Sequence, residues 1–165
     1  MSKAEDCLKE AFAGESQANR KYLAFAAKAD QEGYPQVARL FRAAAEAETV
    51  HAHNHLRAHK GIRSTKENLQ EAIGGETHEF KQMYPEMIAA AKAEGHKEAE
   101  RSFNYANEVE KIHAQLYQKL LDQLGTSKET YAYYVCPVCG HTAEREAPGA
   151  CPVCGTKGSM FKKID

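Results

Sequence analysis

Two stretches of this chain, 62 residues apart, carry the same pattern: Phe41, Glu46, Glu48, His51 and Ala52 recur as Phe103, Glu108, Glu110, His113 and Ala114. Tyr22 recurs as Tyr84 and Glu32-Gly33 as Glu94-Gly95 at the same offset, while Gly14-Glu15-Ser16 recurs as Gly75-Glu76-Thr77 at an offset of 61. A single-residue slip reconciles the two registers. Each copy sets a carboxylate and an imidazole three residues apart, hence on one face of a helix. The duplication therefore restricts the fold to two helical hairpins, each presenting acidic residues and a Glu-x-x-His pair.

Apolar spacing predicts four helices. The first covers residues 1–31, where Leu8, Phe12, Tyr22 and Ala26 recur at steps that keep one face, and Gly33 ends it. Pro35 starts the second, which runs to about Lys60 with Gly61 as its stop. The third spans roughly 66–94 with an interruption or bend expected at Gly74-Gly75, and the fourth spans 97–124. Glu48, His51, Glu110 and His113 lie on the same stripes as Phe41, Phe103, Leu120 and Leu124. A charged group on a core stripe is costly unless it is paired or bound to a metal. Four-helix bundles that hold two metal ions use one Glu from each of two helices and Glu-x-x-His from the other two. Glu15 and Glu76 supply the single glutamates, and Glu79 is an extra one on nearly the same face as Glu76. Such oxygen-rich ligation suits iron or manganese better than structural zinc. Glu5, Glu10, Glu67, Glu71 and Glu98 read as solvated surface charge, and His53, His55, His59, His78 and His96 as solvated or packing residues.

The last 35 residues differ in kind. Tyr131 to Val135 has strand composition, and Cys136-Pro137-Val138-Cys139-Gly140 and Cys151-Pro152-Val153-Cys154-Gly155 form two near-identical knuckles. Two Cys-x-x-Cys pairs at this spacing make a tetrahedral four-thiolate metal site, although spacing alone leaves zinc against iron open. A unit of ~35 residues is too small to fold on apolar burial, so the metal holds it together. The expected organisation is a bundle over 1–125, a linker over 126–130 and the cysteine module over 131–165. Cys7 reads as a small buried or half-buried apolar residue. His141 follows the first knuckle closely enough to influence a sulfur. The formal net charge of −1 argues against a nucleic-acid partner, and no apolar run approaches a membrane span. With a charged start from Lys3 and no secretion signal, the expectation is a cytoplasmic metalloprotein.

Over essentially its whole length the chain resembles the rubrerythrin family. The likeness is carried by Gly14-Glu15, Glu48-x-x-His51, Glu76-x-x-Glu79 followed by Met83-Tyr84-Pro85, Glu110-x-x-His113 and the two Cys-Pro-Val-Cys-Gly knuckles. The resemblance implies an all-α, four-helix ferritin-like bundle with a carboxylate-bridged pair of irons, followed by a small, mainly β, rubredoxin-like domain with an Fe(Cys)4 centre at Cys136, Cys139, Cys151 and Cys154. Zinc is an alternative occupant of that centre. The implied activity is that of a hydrogen-peroxide reductase of the NADH-peroxidase type, serving oxidative-stress defence. Its electrons come from an external donor, a rubredoxin or an NAD(P)H-dependent reductase. By position, Glu48 and Glu110 bridge the irons, Glu15 is terminal on the first, and Glu76 and His113 are terminal on the second. The first iron is held by Glu79 when ferric and by His51 when ferrous, which fits the stronger pull of a more charged ion on an anionic oxygen. Tyr22 and Tyr84 match tyrosines that hydrogen-bond ligand carboxylates. A ferroxidase and a zinc-ribbon adaptor are the competing readings.

Two geometric expectations follow. A ferritin-like bundle needs its second and third helices parallel. Glu48 lies ~17 Å above the end of its helix, and Glu76 ~14 Å along the next. Residues 60–66 span at most ~25 Å against a climb of roughly 30 Å. Unless residues 66–75 unravel, the first two helices should pair with the last two of a second copy, as a domain-swapped homodimer. The four-cysteine site is expected at the far end of the fourth helix, remote from His113 of its own chain, and passes its electrons to the di-iron site of the other subunit in the dimer.

Overall fold

The computed structural model describes residues 2–165 and divides the chain into two compact units, Met1–Arg63 and Ser64–Asp165. The first unit is a hairpin of α1 (Lys3–Gln31) and α2 (Pro35–Ala58). Ser2 and Glu5 close a capping box at the start of α1, satisfying backbone donors that a helix N-terminus otherwise leaves bare. Gly33, at φ 80°, turns the chain between the helices, and Pro35 occupies a first-turn position where its missing N–H costs nothing. The seam between α1 and α2 is lined by small residues, with Ala26, Ala29, Ala38, Ala45 and Ala52 buried. Asn19 braces it, donating from Nδ2 to the Ala45 carbonyl (2.7 Å) and to Thr49 Oγ1 (2.9 Å). Leu23, Phe25, Leu40 and Val50 of the hairpin are exposed.

The left-handed residue that ends α2 is Lys60, at φ 59°, where the sequence had pointed to Gly61. Gly61 serves close approach instead, because a Cβ there would collide with Leu56 Cδ1. A short connection then reaches α3 (Thr65–His78), opened by a second capping box between Ser64 and Glu67.

The predicted break at Gly74-Gly75 does not occur. Both glycines lie inside α3, and the irregularity falls later, where Glu79–Met83 form a π-helical turn before α4 (Tyr84–Ala93). Proline explains the shift. Pro85 lacks a donor, and its ring would clash with the carbonyl four residues back in a regular helix. Widening the preceding turn, so that Tyr84 N–H reaches Glu79 O, relieves the clash. The third helical stretch is thus continuous from Thr65 to Ala93, and residues 66–75 are fully helical. The fourth, α5, runs Lys97–Gln123, and Val109 and Ala114 on it are buried.

After α5 come three short strands, β1 (Tyr133–Val135), β2 (Thr142–Glu144) and β3 (Lys162–Ile164), in the antiparallel order β2-β1-β3. This sheet folds back onto α5. Lys119 Nζ donates to both carboxylate oxygens of Glu144 at 2.8 Å, Tyr131 also bonds Glu144, and Arg145 lies 4.5 Å from the Tyr131 ring centre. The four helical stretches and the small cysteine-bearing sheet agree with the expected fold class. No helix among the described residues is long and apolar enough to cross a membrane.

Candidate metal centres

Three clusters of metal-ligating side chains stand in the described residues. In the first unit, Glu15 on α1 and Glu48 and His51 on α2 bring their ligand atoms within 4.8 Å of one another. In the second, Glu76 on α3 and Glu110 and His113 on α5 do the same. The third is the quartet Cys136, Cys139, Cys151 and Cys154.

The two Glu/His triads follow from the sequence repeat. In each, the imidazole folds back along its helix onto the glutamate one turn earlier: His51 Nδ1 lies 2.9 Å from Glu48 Oε2, and His113 Nδ1 lies 2.8 Å from Glu110 Oε2. His113 Nδ1 is also 3.8 Å from Glu76 Oε2. The repeat extends to packing, because Tyr22 meets Phe41 at a ring-centre distance of 6.1 Å and Tyr84 meets Phe103 at 6.3 Å.

Crowding three acids into a half-buried site has an electrostatic consequence. Burial, reinforced by the charge of Glu110, pushes Glu76 up to about 7. Glu110 is raised as well, first by burial and then by the charge of Glu79, and only partly relieved by its hydrogen bond with Glu76. Glu79, which stands on the π turn outside the triad, is thereby within electrostatic reach of both. Burial and the negative field of Glu110, Glu79 and Glu76 also raise the Tyr84 hydroxyl. Carboxylates that resist ionisation together are asking for a cation.

Two neighbours escaped sequence reasoning. Tyr117, one helical turn after His113, is raised by burial and by the charges of Glu76 and Glu110. It shares the α5 stripe of His113 and Leu120, and the packing of α3 beside α5 puts it in the field of the acids. Thr142, from β2, sets its hydroxyl 3.0 Å from His113 Nε2. No spacing rule connects positions 29 residues apart in different modules. The same contact corrects the expectation that the cysteine module lies remote from His113: within this unit the module rests against the middle of α5. Gly140 on the first knuckle faces Val109, with the site of its absent Cβ 3.8 Å from Val109 Cγ1.

The cysteine quartet is built from two equivalent loops. Gly140 (φ 83°) and Gly155 (φ 77°) take left-handed conformations that wrap each loop around its sulfurs. Their amides return to Cys136 O (3.0 Å) and Cys151 O (2.9 Å). Cys136 Sγ to Cys154 Sγ and Cys139 Sγ to Cys151 Sγ are both 3.5 Å. A tetrahedral metal with bonds near 2.3 Å needs sulfurs about 3.8 Å apart, so the cage fits one ion with almost no movement. Cys154 is lowered to about 6, chiefly by its hydrogen bond with the Thr156 hydroxyl, so it is readily a thiolate. Burial pushes Cys139 up, opposed by the backbone amide of His141. His141 is buried against the edge of Phe161, with Nδ1 unpartnered. Cys7 is exposed on α1, against the expectation of a buried or half-buried residue.

The chain matches two family profiles: the rubrerythrin profile over residues 6–121, and the rubrerythrin rubredoxin-like domain over 134–162. It is 41% identical to rubrerythrin-2 of Clostridium acetobutylicum over 95% of this chain and 94% of that protein. It is 34% identical to nigerythrin of Nitratidesulfovibrio vulgaris over 84% of this chain and 75% of that protein. Nigerythrin solved in its mixed-valence state superposes with a TM-score of 0.60 at 31% identity, covering 99% of this chain and 88% of that one. A repeated Glu-x-x-His helical framework joined to a four-cysteine module, matched in both parts and in this order, places the chain in the rubrerythrin family of iron-binding oxidoreductases.

Proposed function

We propose that this protein is a non-haem di-iron peroxidase that reduces hydrogen peroxide to water, with electrons entering through an Fe(Cys)4 centre in residues 131–165. The observation that carries the reading is the pairing of two repeat-related Glu/His triads with a closed thiolate cage in one chain. Two irons held by the triads would supply the two electrons that, with two protons, convert one peroxide to two waters. The cage takes up electrons singly from an external donor, a rubredoxin or an NAD(P)H-dependent reductase.

The residues divide the work. Glu48 and Glu110 would hold both irons, Glu15 the first, and Glu76 with His113 the second. Glu79 would hold the first iron when it is ferric and His51 when it is ferrous. His113 is held on one side by Glu110 and Glu76 and on the other by Thr142 within its own unit, which supports a fixed role for it. Tyr22 and Tyr84 steady the ligand carboxylates, a role supported for Tyr84 by the field it feels from Glu110, Glu79 and Glu76. A cage of free, paired cysteines suits a reducing cytoplasm and gives the ferroxidase reading a feature it has no use for.

The two triads become one site in a domain-swapped homodimer, where α1 and α2 of one copy meet α3–α5 of another. Two observations support this. The helical state of residues 66–75 removes the slack that a one-chain bundle requires. The exposed Leu23, Phe25, Leu40 and Val50 call for a covering partner, each contributing roughly 1.5–3 kcal/mol if fully buried. Mixing two differently tagged folded stocks tests it: subunit exchange without unfolding removes the swap.

Anaerobic stopped-flow of the reduced protein against peroxide tests the activity. The expected record is rapid return of ferric-thiolate colour in the wild type and a slowed return in Glu79→Ala. Equal rates remove the exchange, and a colourless zinc-bound cage removes the electron relay.

A further inference from the structure

His113 has a partner on each ring nitrogen. Nδ1 faces Glu110 and Glu76, and Nε2 faces Thr142 Oγ1 at 3.0 Å. The threonine hydroxyl has one proton, and it donates this to Gly140 O at 3.1 Å. Toward His113 it can only accept, so Nε2 must carry the hydrogen. With Nε2–H committed to Thr142, Nδ1 is the atom His113 presents to Glu110 and Glu76, and its lone pair would complete with them the donor set for a cation.

We propose that Thr142 is a positioning residue for the carboxylate site: the four-cysteine module supplies, from its own β2 strand, the hydroxyl that holds His113 in the Nε2–H tautomer and turns Nδ1 toward the metal. The inference rests on the di-iron reading. Imidazole ligands usually donate their second N–H to a carboxylate, carbonyl or water close to the site. Here the acceptor belongs to a different module, and its orientation is set by the knuckle itself, through Gly140, one residue after Cys139. The placement is braced on both sides. Two residues further along the same face of β2, Glu144 is clamped by Lys119 of α5. On the other side, His141 is buried against Phe161. Among the described residues of its own hairpin His51 has no such acceptor, its contact there being with Glu48. Metal affinity at the carboxylates is thereby linked to the folded state of the cysteine module.

The test is anaerobic Fe2+ titration, by calorimetry, of full-length protein whose cysteine site is already loaded. Thr142→Val keeps the shape and removes the hydroxyl; Thr142→Ser keeps the hydroxyl. The expected result is a 10–100-fold weaker Fe2+ affinity for Thr142→Val, the usual cost of losing a ligand's orienting partner, and near-wild-type binding for Thr142→Ser. Nitrogen NMR of the Zn2+-loaded protein gives an independent signature, with His113 protonated at Nε2 in the wild type and its proton exposed to rapid exchange in Thr142→Val. Equal affinities for wild type and Thr142→Val, or a serine variant as weak as valine, overturns the proposal. Unaltered thiolate absorption in both variants verifies that the module remains folded. A wild-type protein that takes up no Fe2+ beyond the cysteine site overturns the di-iron reading itself, a result distinct from the variants' behaviour.

Discussion

The two Glu-x-x-His copies invite direct comparison, since their sequences and local geometry are nearly identical and their surroundings are not. In both, the imidazole Nδ1 sits within 3 Å of the glutamate one turn earlier, as helix geometry requires. His113 is then enclosed: α3 brings Glu76 beside it and β2 brings Thr142 against its far nitrogen. His51 lies on a hairpin whose other residues leave it open. Equivalent motifs thus acquire unequal surroundings within their own units from what packs beside them.

The largest expected effect separates the two histidines. His113→Ala should weaken Fe2+ binding by more than the 10–100-fold typical of a lost orienting partner. His51→Ala should leave ferric loading close to wild type and weaken retention of the ferrous form. Anaerobic titration in both oxidation states measures the difference, and identical losses would erase the distinction between the copies.

A second experiment makes His113 resemble His51. Cys136→Ser removes one of four thiolates from a module that depends on its metal, so the sheet bearing Thr142 should come away from α5. The expected outcome is loss of ferric-thiolate absorption together with a roughly 10–100-fold loss of Fe2+ affinity at the carboxylates. Full retention of that affinity would show that His113 needs no help from the module.

The smallest effect concerns the acids around His113. Glu76 is pushed from its ordinary value to about 7, so the folded, metal-free state binds protons more tightly than the unfolded chain. Its contribution to stability is fully present below about pH 4.5 and is lost as pH rises through about 7. Calorimetric melting of metal-free protein should therefore give a Tm that declines between pH 5 and 7. Glu76→Gln should flatten the slope, and added Fe2+ should reverse it. A Tm profile identical in wild type and Glu76→Gln would detach the acid from the fold's pH dependence.

Much of this was legible from sequence because it depends on local periodicity. Helix limits near Gln31, Pro35, Lys97 and Gln123 are announced by Gly33, Pro35 and Gly95, whose backbone demands are local. The Glu-x-x-His and Cys-x-x-Cys pairs follow from side chains three residues apart, which local structure alone brings together; Glu15 and Glu76 join their pairs, and the two knuckles join each other, only through packing. The misplaced irregularity in the third helix has a local cause as well. Two adjacent glycines weaken a helix by about 1 kcal/mol each, which packing against α5 can offset, whereas Pro85 removes a donor that packing cannot restore.

The chain's own sequence determined the repeat, the ligand types, the two cysteine knuckles and the family, since each rests on motifs readable along the chain. Tertiary structure alone decided that β2 lies against α5, that Tyr117 enters the field of Glu76 and Glu110, and that Thr142 reaches His113. Those contacts join residues distant in sequence through the packing of whole elements, and no periodicity records them. The repeat is symmetric in its letters, and the docking of a cysteine-bearing sheet beside one copy makes it asymmetric.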